Sequence, residues 1–403
     1  MSDFFQNGTV TTLHNLGDRP VNEIEEELKK FTHQGSPIAL VLPSLYNELK
    51  HEALENIIHE LQKVEYLNQV IIGLDRATKE EFEHAKQYFS RLPQNYKILW
   101  NDGPNLKAVD ELLRTHDLAP KELGKGRNVW YCMGYFLASG VAQTLALHDC
   151  DITTYKKDLL ARLLYPVANP VFGFKFCKGY YYRASTKLNG RVSRLLVTPL
   201  IRALKTIEGE NAYLDYMDSF RYPLAGEFCM YRDVVQNIRI PSDWGLEIGV
   251  LSEVFRNYSA NRICQVDIAD AYDHKHQPLS QDDAEKGLYK MSIDICKAFF
   301  RKLATSGTVF NEGIFRTLKA TYYRTALDFV EKYYADAKMN GLDFDRHSEE
   351  QAVELFAQSI MSAGDTYLSN PMETPFMPSW NRVSSAIPGI LDKLLEAVEK
   401  DNA

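Results

Sequence analysis

The stretch Ala146-Leu147-His148-Asp149-Cys150-Asp151-Ile152 joins an apolar run to two aspartates that are one residue apart. The apolar run begins at Phe136, so the pattern predicts a buried strand whose carboxylates emerge at its end. In an open α/β sheet, ligands bind at the carboxyl ends of the strands, and two hard oxygen ligands placed there can hold Mg²⁺ or Mn²⁺. The alternative is a solvated acidic turn, because Asp-x-Asp is a common pattern. The surrounding sequence has to decide between the two.

Length and composition predict an ordinary soluble globular protein. The chain has 403 residues, which favours two structural units over one, and 45% of its residues are apolar. A net charge of −8 argues against nucleic acid as a partner. No run approaches the roughly 20 consecutive apolar residues that span a membrane, and the N-terminus lacks the features of a secretory signal. Six scattered cysteines form no CxxC pair, so a cytoplasmic location fits best.

Strand and helix patterns alternate in the first quarter of the chain. Residues 37–43, 69–74 and 96–100 are short apolar runs typical of buried strands, and helical patterns follow the first two. This alternation predicts βαβ units and a parallel sheet. Further strands are expected before Asp149, within the aromatic stretch 172–182, and over residues 264–268, with a polar loop over 118–127.

The character of the chain changes near residue 280. Apolar side chains recur at helical spacing from there on, as at Leu318 and Tyr322, so this part is predicted to be mostly helical. We therefore divide the chain into an N-terminal extension (1–35), an α/β domain (36–279) and a helical C-terminal region (280–403).

Five short motifs follow one another within the α/β domain. They are Pro43-Ser44-Leu45-Tyr46-Asn47-Glu48, Asp149-Cys150-Asp151, Gly190-Arg191-Val192-Ser193, Trp244-Gly245-Leu246-Glu247-Ile248-Gly249 and His274-Lys275-His276-Gln277-Pro278-Leu279. Their order resembles that of the glucosyl-3-phosphoglycerate synthase family, which has the GT-A fold. The resemblance implies a Rossmann-like nucleotide-sugar-binding domain and metal-dependent, retaining transfer of glucose. The donor implied is UDP-glucose or another nucleoside-diphosphate glucose, and the acceptor is 3-phospho-D-glycerate or D-glycerate.

The resemblance also implies a role for individual residues around the donor. Asp151 and His274 would be direct ligands of Mg²⁺ or Mn²⁺, and Asp149 would lie nearer the ribose or reach the metal through water. The nucleotide-sugar would contact Asp149 and four further residues, Pro43, Leu45, Glu48 and Lys125. Without the resemblance, a surface or packed histidine and a solvated loop lysine are the ordinary interpretations of His274 and Lys125.

The acceptor is expected at the turn formed by Gly190, Arg191, Val192 and Ser193, with His276 nearby. The arginine fork can donate paired hydrogen bonds to a carboxylate or phosphate, and the following helix start adds backbone N–H donors. Glu247 and Glu227 are the candidate catalytic residues, since either can hold sugar hydroxyls and Glu247 can orient the acceptor. The retaining mechanism implied by the family uses the leaving phosphate, rather than a carboxylate, to accept the acceptor proton.

Several departures from the family pattern keep alternatives open. Ser193 stands where relatives carry Thr, His276 replaces Asn, and Asp75-Arg76-Ala77 lacks the Asp-Ser-Gly-Ser pattern of many relatives. One rival function is therefore the same machinery with another donor, such as GDP-mannose, or another acceptor. A rival of a different class is a non-catalytic nucleotide-sugar-binding or assembly protein. The resemblance and the helical tail together favour a homodimer.

Overall fold

An eight-stranded sheet forms the centre of the part of the chain that the structure describes. This computed structural model describes residue 6 and residues 8–17, 19–274, 287–372 and 376–403. The strands are β1 (Thr11–Leu13), β2 (Ile38–Leu45), β3 (Gln69–Asp75), β4 (Tyr96–Trp100), β5 (Thr144–Leu147), β6 (Phe176–Tyr181), β7 (Phe228–Tyr231) and β8 (Ile263–Ala269).

The strands lie in the order β1-β8-β6-β7-β5-β2-β3-β4. All neighbouring pairs are parallel except those of β7, which runs antiparallel to β5 and to β6. The α/β fold is confirmed, and the strands from which the parallel sheet is predicted, β2, β3 and β4, are parallel, whereas β7 adds two antiparallel pairs. Two helices, Thr198–Glu208 and Ala212–Asp218, separate β6 from β7 in the chain, and β7 then pairs with β6 in the opposite direction. The connection is therefore not the crossover that makes the strands of a βαβ unit parallel.

Helices cover both faces of the sheet and form most of the C-terminal region. They are α1 (Val21–His33), α2 (Glu52–Leu61), α3 (Lys79–Phe89), α4 (Pro104–Arg114), α5 (Lys125–Ser139), α6 (Lys157–Ala168), α7 (Thr198–Glu208), α8 (Ala212–Asp218), α9 (Arg232–Asn237), α10 (Leu246–Asn257), α11 (Gly287–Thr305), α12 (Glu312–Met339), α13 (Arg346–Ser369), α14 (Trp380–Ala386) and α15 (Ile390–Asn402). None of the helices in the described ranges combines the length and apolar character that a bilayer span requires.

The central strands are buried on both faces, which explains their continuous apolar sequences. In β2, Ala39 and Val41 pack into one hydrophobic cluster, whereas Ile38, Leu40 and Leu42 pack into the other. This division follows from the alternation of side chains along a strand. A three-layer arrangement results, and it leaves the carboxyl ends of the strands as the edge where polar side chains gather.

The C-terminal helices share a hydrophobic core with the sheet. Trp380 of α14 stacks on Trp130 of α5 with ring centroids 4.2 Å apart. Each indole N–H donates to a backbone carbonyl, Trp130 to Pro378 and Trp380 to Trp130. Buried side chains of α11, α12 and α13 belong to the same cluster as the sheet residues that face α5. The helical region is therefore packed as a continuation of the α/β layers.

Three local features differ from the sequence-based expectations. Residues 11–13 of the predicted N-terminal extension form β1, which pairs with β8. Helix α5 begins at Lys125, inside the predicted polar loop, with Gly124 at its N-cap. The aromatic strand is shorter than predicted and begins at Phe176, because residues 170–175 contain a turn with Gly173 at a φ of 68°.

The last helix lies against the free edge of strand β4. Asn402 accepts a hydrogen bond from the Ile98 backbone N–H at 3.0 Å and donates to the Ile98 carbonyl at 2.8 Å. Its side-chain amide thus occupies both backbone groups of that residue, as a neighbouring strand would. Lys97 adds an ion pair to Glu399 of the same helix.

Candidate active site

A lysine and two carboxylates meet beyond the carboxyl ends of the central strands. The Lys125 ammonium lies 2.6 Å from Asp149 Oδ1 and 3.1 Å from Glu247 Oε1. Asp149 follows β5, Lys125 opens α5, and Glu247 lies in the first turn of α10. The fold thus brings together residues that are far apart in the sequence. Lys125 and Asp149 are predicted to bind the nucleotide-sugar, and Glu247 is predicted to be catalytic.

Electrostatics favour the charged forms of Lys125 and Asp149. Burial disfavours both ions, but the two neighbouring carboxylates outweigh it and raise the pKa of the Lys125 ammonium. For Asp149, burial is likewise outweighed by Lys125, which lowers the pKa of the carboxyl. A fixed cation between two carboxylates is therefore part of the site at neutral pH.

The backbone of Gly226 packs directly against the Asp149 carboxylate. A Cβ atom built on Gly226 would lie 2.2 Å from Asp149 Oδ2 and 2.6 Å from Cγ, closer than real Cβ atoms approach other heavy atoms. Gly226 is buried and its φ is not in the left-handed region. Glycine is thus required here for close approach, and it fixes the position of the carboxylate.

Asp151 and His274 form a second pair beside this cluster. Asp151 Oδ2 lies 3.8 Å from His274 Nδ1, and the backbone of His274 pairs with that of Ile152 in an isolated antiparallel bridge. Burial raises the pKa of Asp151, and the negative charges of Asp149 and Glu48 add to the rise. The predicted metal ligands are thus adjacent, in a region with excess negative charge.

The described residues fit a metal that is bound largely by its substrate. No group of three or more His, Cys, Asp and Glu side chains within the described ranges is arranged to hold an ion. Mg²⁺ is usually held in nucleotide sites by one or two protein side chains together with substrate phosphates and water. The Asp151 carboxylate suits Mg²⁺ or Mn²⁺, and the His274 imidazole beside it would supply a second donor atom.

Glu227 is buried between two tyrosines rather than open to the site. Its carboxylate oxygens accept hydrogen bonds from Tyr181 at 2.8 Å and from Tyr272 at 2.7 Å. Burial raises the pKa of Glu227, and Asp149 adds to the rise. The Tyr181 and Tyr272 rings stack with centroids 3.6 Å apart. Two hydroxyl donors thus hold the Glu227 carboxylate, whereas that of Glu247 is paired with Lys125.

A buried lysine beneath the cluster has no counterpart in the sequence-based predictions. Lys178 of β6 donates to the Ala225 carbonyl at 2.5 Å, and burial lowers its pKa to about 8. Ala225 immediately precedes Gly226, so this bond ties down the segment that packs against Asp149. Nothing in the local sequence marks Lys178, because it lies within an apolar and aromatic strand.

The predicted nucleotide segment runs from the end of β2 into a 3₁₀ turn, Tyr46–Lys50. Leu45 pairs in register with Asp75 at the end of β3, and it remains 40% exposed. Asp75 accepts hydrogen bonds from Asn101 at 2.7 Å and Asn128 at 3.2 Å. Leu45 thus offers an apolar surface, and the Asp75 carboxylate with its two asparagine partners offers polar groups. This combination suits a nucleobase, which needs an apolar face and polar edge contacts.

At the predicted acceptor turn, the backbone adopts a left-handed conformation that favours glycine. Gly190 has a φ of 72°, and a Cβ there would lie 3.0 Å from the Tyr222 hydroxyl. Residues Val192–Val197 then form a π-helical segment that leads into α7. Ser193 is buried, and its hydroxyl has no hydrogen-bond partner in the described part of the chain. His276, also predicted for the acceptor, lies outside the described residues, as do residues 275–279 of its motif.

Comparison with known proteins decides the family. A glucosyl-3-phosphoglycerate synthase from Persephonella marina is 47% identical over 403 residues, covering 100% of both chains. The synthase of the same name from Methanococcoides burtonii is 40% identical over 408 residues, covering 99% of this chain and 98% of that one. The chain belongs to the glucosyl-3-phosphoglycerate synthase family. No family model matches it.

Solved structures confirm the GT-A fold of this glucosyl-3-phosphoglycerate synthase family member. The Mycobacterium tuberculosis synthase in complex with Mn²⁺, UDP-glucose and phosphoglyceric acid superposes with a TM-score of 0.53 at 19% identity, over 75% of this chain and 89% of that one. Mannosyl-3-phosphoglycerate synthase from Rubrobacter xylanophilus gives 0.53 at 20% identity, over 75% and 83%. At these identities the likeness concerns the fold, and the chain is a glycosyltransferase by its family.

A row of aromatic residues leads from Glu227 to the predicted acceptor turn. Tyr272 stacks on Tyr181, whose ring centroid lies 4.8 Å from that of Tyr222, and Tyr222 borders Gly190. The Tyr222 hydroxyl accepts a hydrogen bond from Arg183 at 3.3 Å. None of the five sequence motifs contains these tyrosines. Tyr272 nevertheless lies two residues before His274 in the sequence, and Tyr222 lies against Gly190 in space.

Proposed function

We propose that this chain transfers glucose from UDP-glucose to 3-phospho-D-glycerate in the presence of Mg²⁺ or Mn²⁺. The observation that carries the proposal is the convergence of Lys125, Asp149 and Glu247 with the Asp151–His274 pair at one edge of the sheet. The charges, carboxylate oxygens and imidazole of this group suit a divalent ion and a nucleoside diphosphate. Full-length relatives at 47% and 40% identity carry the name of the corresponding synthase.

The donor diphosphate is expected between Asp151, His274 and Lys125. A divalent ion bound there would neutralise the leaving diphosphate as a Lewis acid when the glycosidic bond breaks. The uridine would extend toward the end of β2, where Leu45 is exposed and Glu48 lies in the following 3₁₀ turn. Glu48 is close enough to Asp151 to raise its pKa, which supports one continuous donor site.

The carboxylates of the site support transfer with retention through the leaving phosphate. Within the described residues, Asp149 and Glu247 are paired with Lys125, and both oxygens of Glu227 accept tyrosine hydroxyls. Their partners keep these groups in place as anions or hydrogen-bond acceptors, which suits orientation of the sugar. The diphosphate oxygen released on the same face would then accept the acceptor proton.

The acceptor proposal rests on the turn that begins at Gly190. Arg191 side-chain atoms remain 25% exposed, and two of its N–H groups are already bonded to protein oxygens. The remaining guanidinium edge can donate to the carboxylate or the phosphate of a glycerate. The proposal also includes a cytoplasmic homodimer, for which the family resemblance is the support and sedimentation analysis is the test.

A donor-by-acceptor matrix tests the proposed function. UDP-glucose, GDP-glucose and GDP-mannose are each incubated with 3-phosphoglycerate or D-glycerate, with Mg²⁺, with Mn²⁺ or with EDTA. We expect the highest turnover with UDP-glucose and 3-phosphoglycerate and loss of transfer with EDTA. Preference for GDP-mannose would replace the donor assignment, and binding of UDP-glucose without turnover on either acid would indicate a non-catalytic protein.

A further inference from the structure

Arg191 of the acceptor turn is held by the C-terminal helical region. Its Nε donates to Glu349 Oε1 at 2.7 Å, and its Nη2 donates to Ser348 Oγ at 2.8 Å. Both partners lie in the first turn of α13, about 157 residues further along the chain. We propose that Glu349 and Ser348 are positioning residues that set Arg191 for the anionic acceptor. This inference rests on the proposed function.

The two arginines of the turn are used differently. Arg194 donates from Nε to the Asn189 carbonyl at 2.8 Å and from Nη2 to the Leu188 carbonyl at 3.1 Å. Its Nη1 lies 2.9 Å from Glu349 Oε2, and its guanidinium stacks on the Tyr333 ring at 4.8 Å. Nε and Nη2 of Arg194 thus hold backbone carbonyls, and its Nη1 forms an ion pair with Glu349 Oε2 without a hydrogen bond. Arg194 shapes the turn and its side chain is 10% exposed, whereas that of Arg191 is 25% exposed, so Arg191 is the arginine that a ligand can reach.

The contacts of Arg191 leave one defined edge of its guanidinium for a ligand. A guanidinium carries five N–H donors in a planar fork. Nε and the adjacent N–H of Nη2 are bonded to Glu349 and Ser348, so the donors left over are those of Nη1 and the outer N–H of Nη2. These form the end of the fork, which matches a carboxylate or phosphate bidentately. Because the other edge is bonded to α13, the plane of the fork is fixed before the acceptor arrives.

Glu349 is placed to serve both arginines at once. It is 5% exposed, and each of its oxygens faces one guanidinium. A buried carboxylate between two guanidiniums removes part of their mutual repulsion, while one net positive charge remains for an anion. The hydrogen bond from Arg191 Nε to Glu349 is charge-assisted and therefore stronger than a neutral one, so it resists rotation of the Arg191 side chain.

The contact belongs to a wider attachment of the C-terminal region to the turn. The Asp343 N–H donates to the Thr186 carbonyl at 2.8 Å, just before the turn. The Tyr322 hydroxyl of α12 donates to the Leu195 carbonyl at 2.6 Å, just after it. Asp345 caps α13 by accepting from the Ser348 N–H, which fixes the first turn that carries both positioning residues. The turn is therefore braced on both sides.

Steady-state kinetics of Glu349→Gln and Ser348→Ala test the inference with UDP-glucose and 3-phosphoglycerate. We expect the acceptor KM to rise about tenfold in Glu349→Gln and about threefold in Ser348→Ala. The KM for UDP-glucose should stay within twofold, because both residues bond Arg191 rather than Lys125, Asp149 or Glu247. Glu349→Asp should recover part of the loss. Glu354→Gln, an exposed carboxylate on the same helix, is the matched control and should behave as wild type.

A double-mutant cycle separates positioning of Arg191 from general support of the fold. If Glu349 acts through Arg191, Glu349→Gln should change the acceptor KM less than twofold in an Arg191→Ala background. An unchanged acceptor KM in the folded Glu349→Gln variant, or an equal effect in both backgrounds, would overturn the inference. If Glu349→Gln does not fold, Ser348→Ala decides by the same criterion.

Calorimetric binding of 3-phosphoglycerate distinguishes this inference from the proposed function. If wild type transfers glucose and the variants do so with an unchanged acceptor KM, only the positioning role is refuted. Wild type that binds 3-phosphoglycerate without transferring glucose refutes the function, and the variants then report on positioning through the binding constant. Wild type that neither binds nor uses the acid overturns both.

Discussion

Substitution of Gly226 by alanine should displace the Asp149 carboxylate while leaving the backbone unstrained. The new Cβ would lie 2.2 Å from Asp149 Oδ2, whereas ordinary van der Waals contact begins at 3.4 Å. The carboxylate therefore has to retreat by about 1.2 Å. Its ion pair with Lys125, at 2.6 Å, cannot keep that geometry after such a movement. The Lys178 bond to Ala225 hinders the alternative, in which the glycine segment moves instead.

The expected cost to catalysis follows from the size of that displacement. Misplacement of a site by about 1 Å commonly lowers rates about a hundredfold, because the reacting groups lose their aligned geometry. This corresponds to about 2.7 kcal/mol of transition-state free energy. The free energy of unfolding should fall by less than the activation free energy rises. The reason is that Gly226 does not have a positive φ, so alanine can adopt its backbone conformation.

The assay is UDP release with UDP-glucose, Mn²⁺ and 3-phosphoglycerate, together with thermal unfolding of the same preparation. Gly17→Ala is the matched control, because a Cβ at Gly17 has no heavy atom within 4 Å and its φ is not positive. A folded Gly226→Ala variant that keeps more than half of the wild-type turnover would refute the claim that this glycine fixes Asp149.

Four further variants test other parts of the site. Asp151→Ala and His274→Ala should each abolish metal-stimulated transfer without unfolding the chain, because several kcal/mol of charge stabilisation at the diphosphate are lost; near-normal stimulation by Mn²⁺ in either one removes that residue from the metal site. Glu48→Ala should weaken UDP binding in titration calorimetry and leave the acceptor KM unchanged, and an unaltered UDP affinity would contradict its place in the nucleotide segment. Arg191→Ala should raise the acceptor KM about tenfold to a hundredfold, as expected for a lost charge-assisted contact of roughly 1.5–3 kcal/mol. Its fold should survive because Glu349 keeps Arg194 as a partner, and normal use of both glycerate and phosphoglycerate would exclude it from the acceptor site.

The sequence could predict those elements whose pattern is local. Apolar runs predicted β2, β3 and β4 to within two residues at either end, because β2 and β3 are buried on both faces and β4 buries Ile98 and Leu99. Strands β1 and β7 have three and four residues, too few for a periodic signal, and their pairing depends on the rest of the sheet. The direction of β7 was therefore beyond local inference.

The candidate site shows the same limit. Motifs predicted Asp149 and Glu247, the family resemblance implied Lys125, and the structure brings the three within ion-pair distance. Lys178 and Glu349 carry no such signal, since the first lies in an apolar strand and the second in an ordinary amphipathic helix. Their relevance arises from contacts between distant segments, which are a property of packing rather than of spacing along the chain.

The cover that α15 gives to strand β4 has a consequence for handling the protein. An uncovered edge strand presents unpaired N–H and C=O groups that can recruit a strand from another molecule, and this is a common route to aggregation. Because Asn402 bonds both backbone groups of Ile98, loss of only the final two residues would leave that N–H and C=O without these partners. Proteolytic trimming at the C-terminus should therefore reduce solubility before it reduces turnover. An affinity tag is better placed at the N-terminus, where it does not disturb the contact of α15 with β4.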